Sequence, residues 1–380
     1  MVLLWLKNRN TMETQKKKDI RLMSLDALRG FDMLFIMGLA AWIVSVCNFF
    51  PDSGIMQWLS GQMEHVEWNG LTHHDTIFPL FLFVAGISFP FSLAKQQASG
   101  KSMRSIYYKI VKRGGILVLL GCVYNGIFGL DFENMRYASV LGRIGLAWMF
   151  AALLFVNFKM SVNIIISVVI LVGYWLLLWL VPGGTDPFSL ENNLVGKIDM
   201  VILPGRLHEG VFDPEGLFST LPAIVTAMLG MFTGKFVQLP NEQYSGKKKA
   251  LYMFIAAVVL ILIGLLWGYT FPINKKLWTS SFVCVVAGYS LLMFALFYFI
   301  IDVKGYVGWS FFFRVVGLNS ITIYLAQRIV NFGQISDFFL GGLASKCPEA
   351  LAVLINTTGY VVICWLFLYF LYKKKIFLKV

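Results

Sequence analysis

Charge is what this sequence has least of. Only 14% of its 380 residues are Asp, Glu, Lys or Arg, just 20 of them acidic, and it has four histidines. A soluble domain carries close to twice that charged share, so a water-facing globule is excluded. Cysteine is scarce as well. Cys47, Cys122, Cys284, Cys347 and Cys364 are scattered, mostly inside apolar runs, with no CxxC pair and no metal spacing. That excludes a disulfide framework and reads as packing. The opening MVLLWLKNRNTMETQKKKDIRL has an apolar patch too short for a secretory core, ahead of its charges and without a small-residue cleavage site. It reads as a cytosolic tail. No internal repeat stands out, which argues against a transporter built from repeated halves.

What is present is apolar. The chain is 58% hydrophobic, and its mean hydropathy is +0.72. Its 34 Phe, 11 Trp and 34 Gly suit interfacial belts and close helix approach. The expected class is all-α, a polytopic integral membrane protein. A crossing helix needs about 20 apolar residues. About ten runs qualify: 28–49, 72–94, 114–129, 137–157, 161–181, 216–237, 250–271, 278–301, 309–331 and 350–372.

An even number of spans puts both ends on one side. Lys and Arg collect on that side, in the N-terminal tail, the loop 95–113, the stretch around Lys247, Lys248 and Lys249, and the C-terminal YKKKIFLKV. Basic loops stay in the cytoplasm, so both termini are expected to be cytosolic and His65 to face outward. The net charge of +12 is divided among short loops, as topology alone produces. The expected surroundings are a lipid bilayer, with no nucleic-acid partner. One outer loop, about 183–215, is long and mixed in the manner of a lid or binding surface.

Ionisable residues inside membrane spans are costly and mark a site or a structural pair. Asp26 and Arg29 share a helix face, so they pair with each other or leave Arg29 to grip an anionic ligand. Arg143, in SVLGRIGLAW, has no acid nearby in sequence, so its partner is another helix or a ligand. Val315 to Arg328 carries Asn319, Ser320, Thr322, Tyr324 and Gln327, a polar stripe that lines a tunnel or knits helices together. NKKLWTSSF, from Asn274 to Phe282, is a second polar island at an outer helix start.

The densest cluster is EHVEWNGLTHHDTIF, which holds three of the four histidines. Adjacent side chains on a helix diverge by about 100 degrees, so His73 and His74 do not close on one metal. The chemical reading is a general base or nucleophile, an imidazole whose tautomer a carboxylate fixes. The plain alternative is a set of interfacial histidines at the headgroup level.

RLMSLDALRGFDMLF, WNGLTHHDTIFPLFLFVAGISF, VLGRIGLAWMF, FDPEGLFSTLPAIVTAMLG, PINKKLWTSSFV, VGLNSITIYL and YKKKIFLKV occur in that order. The series resembles the transmembrane catalytic region of the heparan-alpha-glucosaminide N-acetyltransferase family, from residue 21 to residue 380. The resemblance implies a transmembrane acetyltransferase domain over 21–380 after a tail at 1–20. It further implies acetyl-CoA as cytosolic co-substrate, no metal, an amino-sugar acceptor across the membrane and a homodimer. The family's catalytic histidine precedes WNGLT, which here is His65, and Asp75 matches a family acid. His73 and His74 stand where the family's human member has nonpolar residues. The chain lacks the animal enzyme's luminal domain and leading span, and so resembles a bacterial, stand-alone version. That implies the inner membrane, with the active-site histidine near the periplasmic face. Two departures limit the match: Ala40 stands at the position of a family Asn, and Gln327 at that of a family His.

On this reading Arg29 and the loop around Lys109, Lys112 and Arg113 attract the CoA phosphates. Arg143, Asn319, Ser320 and Tyr324 line a channel for the pantetheine arm. His65 acts as base or becomes acetylated, Asp75 supports it, and Asn69 donates to the oxyanion. Asp213 and Glu215 of FDPEG hold the sugar amine or simply start a helix. Asn274 and Trp278 are further candidate substrate contacts. Two other functions stay open: O-acylation of an envelope polysaccharide, since SLDALRG is also similar to that wider class, and small-solute transport.

Overall fold

The computed structural model describes residues 22–181 and 186–378. The expected tail, 1–20, lies outside them, as does the stretch 182–185 of the outer loop. In chain order the helices are α1 Met23–Cys47, α2 Gly54–Gly61, α3 His73–Ala98, α4 Met103–Tyr124, α5 Val140–Asn157, α6 Met160–Leu180 and α7 Leu194–Ile202. They continue as α8 Thr220–Val237, α9 Gly246–Trp267, α10 Ser280–Val303, α11 Phe311–Gly317, α12 Ser320–Ile329, α13 Phe332–Ala344 and α14 Glu349–Lys373. Among the described residues no strand forms; one isolated bridge joins Arg136 to Gly205.

Eight of these helices are long and apolar enough to cross a membrane: α1, α3, α5, α6, α8, α9, α10 and α14. This is an integral membrane protein. The other two of the ten expected runs differ for physical reasons. The run at 114–129 is the second half of α4, whose first half carries Arg104, Lys109, Lys112 and Arg113. The run at 309–331 is two short helices, α11 and α12, broken at Leu318 and Asn319.

Burial sorts the bundle into a centre and a rim. Helices α3, α8 and α10 are the most buried, and α6, α9 and α14 the least. The α9 surface shows why: Leu251, Phe254, Ile255, Val258, Leu262 and Leu266 all lie exposed. Such a face is stable only against hydrocarbon. Cys47, Cys284 and Cys364 are buried, and all five cysteines are free thiols.

Two glycine sites shape the inner half. A π-turn interrupts α1 at Phe35–Leu39, where Gly38 has a φ of 124° that a side chain would resist. Nearby, Gly30 of α1 meets Gly317 of α11 so closely that a Cβ on either would strike the other helix's backbone. This contact sets the α11–α12 break against α1, at the wall of the inner cavity described below.

Candidate active site

The start of α3 organises the end of the bundle that the loop charges lead one to expect outside, called outer below. Thr72 is its N-cap, and Asp75, three residues on, completes a capping box. One carboxylate oxygen, Oδ2, accepts from the Thr72 hydroxyl at 3.0 Å and from the Thr72 and Val66 amides at 3.3 and 3.4 Å. The other, Oδ1, is left for chemistry. His65 Nδ1 lies 2.7 Å from it, and Lys275 Nζ donates to it at 3.2 Å. Asp75 is almost fully buried while His65 is half exposed. An Nδ1–H donated to the carboxylate holds the ring in one tautomer and leaves Nε2 available. The chain turn that presents His65 is pinned too, since the Thr72 hydroxyl donates to the Glu64 carbonyl at 2.6 Å.

Lys275 was missed by sequence reasoning, and it comes from a loop 200 residues away in the chain. Its ammonium also sits 3.1 Å from His65 Nδ1. Burial pushes its pKa below the ordinary lysine value, against the opposing pull of Asp75. The only sequence signal was its place in NKKLW.

His65, Asp75 and Lys275 line an outer cavity of about 360 Å³, together with Arg136, Glu215 and Trp278. Arg136 Nη2 pairs with Glu215, and its fork holds Asp213 at 2.6 and 2.8 Å. Asp213 is fully buried and also accepts from the His208 and Glu215 amides. Burial raises its pKa, but the Arg136 bonds outweigh that and hold it below the ordinary carboxylate value. Its oxygens are filled from within the protein. It positions Arg136, whereas Glu215 faces the cavity.

Three other expected contacts are also used internally. Asn69 accepts from Asn274 Nδ2 at 3.1 Å, and Asn274 Oδ1 accepts the Leu277 amide at 2.8 Å. These side chains staple the WNG loop to the NKKLW loop, and neither lines the cavity. Arg143 is buried and donates to the Gly216 carbonyl at 3.0 Å and to the Ser219 hydroxyl. Its guanidinium lies 5.0 Å from the Trp278 ring centroid. It braces the entry to α8 and lines neither the outer cavity nor the one described next.

The histidine pair splits. His73 packs into the bundle against Phe35, ring centroids 4.4 Å apart, while His74 meets His65 edge-on at 4.5 Å.

A second cavity, of about 270 Å³, lies inward. Arg29, Arg113, Asn319, Ser320 and Tyr324 line it among apolar side chains. Arg29 donates to Ser88 Oγ and lies 3.7 Å from Asp26, the pairing expected of it, while still lining the cavity. Tyr324 stacks on Tyr124 at 4.7 Å, and Asn319 Nδ2 donates to the Ile376 carbonyl at 3.1 Å. A third cavity, of about 290 Å³, holds Lys109, Lys112 and Arg113. Arg113 borders both the second and the third; Phe78 and Val140 border both the first and the second. The three therefore lie in series across the bundle.

No family model matches the chain. It is similar to heparan-alpha-glucosaminide N-acetyltransferase. The mouse protein of that name is 27% identical over 431 residues, covering 97% of this chain and 62% of its own length. The human protein is 27% identical over 422 residues, covering 95% and 60%. The chain thus spans about three fifths of the heparan-alpha-glucosaminide N-acetyltransferases that it matches. The matched region takes in all three cavities, since it covers nearly the whole chain.

Proposed function

We propose that this protein moves an acetyl group from acetyl-CoA to the amine of glucosamine or a terminal glucosaminide across the membrane. The observation that carries the reading is the series of three cavities ending on the His65–Asp75–Lys275 cluster. Lys109, Lys112 and Arg113 suit the donor's phosphates. The middle cavity, apolar apart from Arg29, Arg113, Asn319, Ser320 and Tyr324, suits the pantetheine arm. Basic residues concentrate at the donor's end, which supports a cytosolic entry, cytosolic termini and an acceptor on the outer face. Our reading keeps the location that the resemblance implies, a bacterial inner membrane with His65 toward the periplasm.

The acceptor enters as an ammonium, which Glu215 steadies, and releases one proton to the water at the cavity mouth, the net proton of the reaction, to become the nucleophile. As nitrogen attacks the thioester carbon, His65 Nε2 takes the second proton, and Asp75 stabilises the imidazolium. The carbon–sulfur bond then breaks, and the imidazolium returns its proton to the departing thiolate. Lys275, beside Nδ1 and Oδ1, supplies the positive charge nearest the developing oxyanion, the role sequence reasoning gave to Asn69. If His65 instead carries the acetyl group, the same Nε2 attacks first.

The test uses the full chain in detergent with labelled acetyl-CoA and glucosamine. Labelled N-acetylglucosamine is the expected product. Transfer only to hydroxyl acceptors, or uptake into vesicles without transfer, overturns the proposal. Mass spectrometry of a reaction quenched without acceptor separates base from carrier, since only the carrier gains an acetyl mass on the His65 peptide.

A further inference from the structure

The outer and middle cavities share a wall that the scheme above does not use. Phe78 and Val140 border both. Phe78 is three residues after Asp75 on α3, so its ring sits one helical turn inward of the carboxylate on the same face. It is backed on one side. Its edge meets Trp278 with centroids 4.9 Å apart, and Trp278 is completely buried. Trp278 is itself held by Phe282 at 5.3 Å, by a bond from Nε1 to Thr226 at 3.3 Å, and by Arg143 over its ring. Opposite, Val140 opens α5, and its β-branched side chain is stiff.

From these contacts we propose that Phe78, with Val140 and backed by Trp278, sets the length of the acyl group that the protein transfers. The inference rests on the acyltransfer reading. For attack, the thioester carbonyl must reach His65 while the sulfur and pantetheine lie inward, so the thioester straddles the shared wall. The outer cavity is polar around His65, Asp75, Arg136, Glu215 and Lys275; among its apolar lining residues, Phe78 and Val140 form the floor shared with the middle cavity, with Trp278 behind Phe78. The acyl methyl rests on that floor. Each added methylene has to displace a ring with a rigid wall behind it, and an apolar pocket discriminates about 10- to 200-fold per methylene. Phe78 is thus a specificity-determining residue.

The experiment compares acetyl-, propanoyl- and butanoyl-CoA as donors to glucosamine, by kcat/KM, in the full-length wild type, Phe78→Ala, Phe78→Leu and Val140→Ala. The milder pair keeps the measurement available if Phe78→Ala does not fold. The expected result is a wild type that prefers acetyl at least about tenfold per added methylene. The butanoyl-to-acetyl ratio then rises at least about tenfold in Phe78→Ala and by less in the milder pair. General damage to the fold lowers all three donors together and leaves the ratio alone. A ratio within twofold of wild type in Phe78→Leu and Val140→Ala, with acetyl transfer retained, overturns the inference. A wild type that transfers none of the three groups overturns the acyltransfer reading itself, and this inference with it.

Discussion

The outer and middle cavities are built on opposite electrostatic plans. In the outer cavity every cation stands beside a carboxylate: Lys275 with Asp75, Arg136 with Glu215, Lys276 with Glu209. Opposed charges held in place by one another make a rigid, nearly neutral pocket suited to orienting reacting groups. The middle cavity carries Arg29 and Arg113 and no acidic wall residue. Arg113 stacks on Trp148 at 4.3 Å, and its Nε bonds to no described residue. Arg29 is paired with Asp26, which does not line the cavity, and on the proposed reading the two guanidinium groups suit an anionic guest. On the same proposed reading, the difference assigns proton movement to one cavity and donor binding to the other.

Substitutions on the two sides are expected to fail in different ways. The largest effect belongs to His65→Ala, which should lower transfer about a thousandfold. Acetyl-CoA affinity, measured by isothermal titration, should stay unchanged; equal loss of both would erase the contrast. Next comes Asp213→Ala, expected to lower stability by about 2–3 kcal/mol because half-buried Arg136 loses the two bonds of its fork and keeps only Glu215. The pH dependence follows from the lowered Asp213 pKa. A depressed carboxylate stabilises the fold above its unfolded value, near 3.9, and that contribution is lost as pH falls through the folded value. Thermal unfolding in detergent from pH 6 down to pH 3 should therefore show a steeper acid loss in wild type than in Asp213→Ala.

A smaller effect is expected on the inner side. Arg29→Ala should raise KM for acetyl-CoA about tenfold with kcat little changed, which steady-state kinetics resolve. A fall in kcat alone would move Arg29 to the chemical side. The smallest effect is assigned to Asn69→Ala. Removing an oxyanion donor costs about 10²–10³ in rate. A loop staple that faces Asn274 should instead cost less than about threefold, and a large rate loss would restore Asn69 to the reaction.

Much of the fold was legible because its signals are local. A run of some 20 apolar residues needs no partner to be recognised. The break at Leu318 and Asn319 was not legible, since 309–331 has no proline and reads as one stripe. The Asp75–His65 pairing was within reach, ten residues apart and joined by a capping motif. Asp213 and Asn274 could not be judged, because a polar residue facing a substrate and one satisfied by a neighbouring loop have the same composition. The same ambiguity put Arg143 in a channel when its partners are Gly216 and Ser219.

By itself the sequence determined that this chain lives in a bilayer and where its main helices run. Apolar length and loop charge act on each segment separately against the same two solvents. Tertiary structure alone decided that Lys275 joins His65 and Asp75, that Asp213 is spent on Arg136, and that Phe78 parts two cavities. Those outcomes depend on distances between side chains from helices and loops far apart in sequence, which only the packed bundle sets.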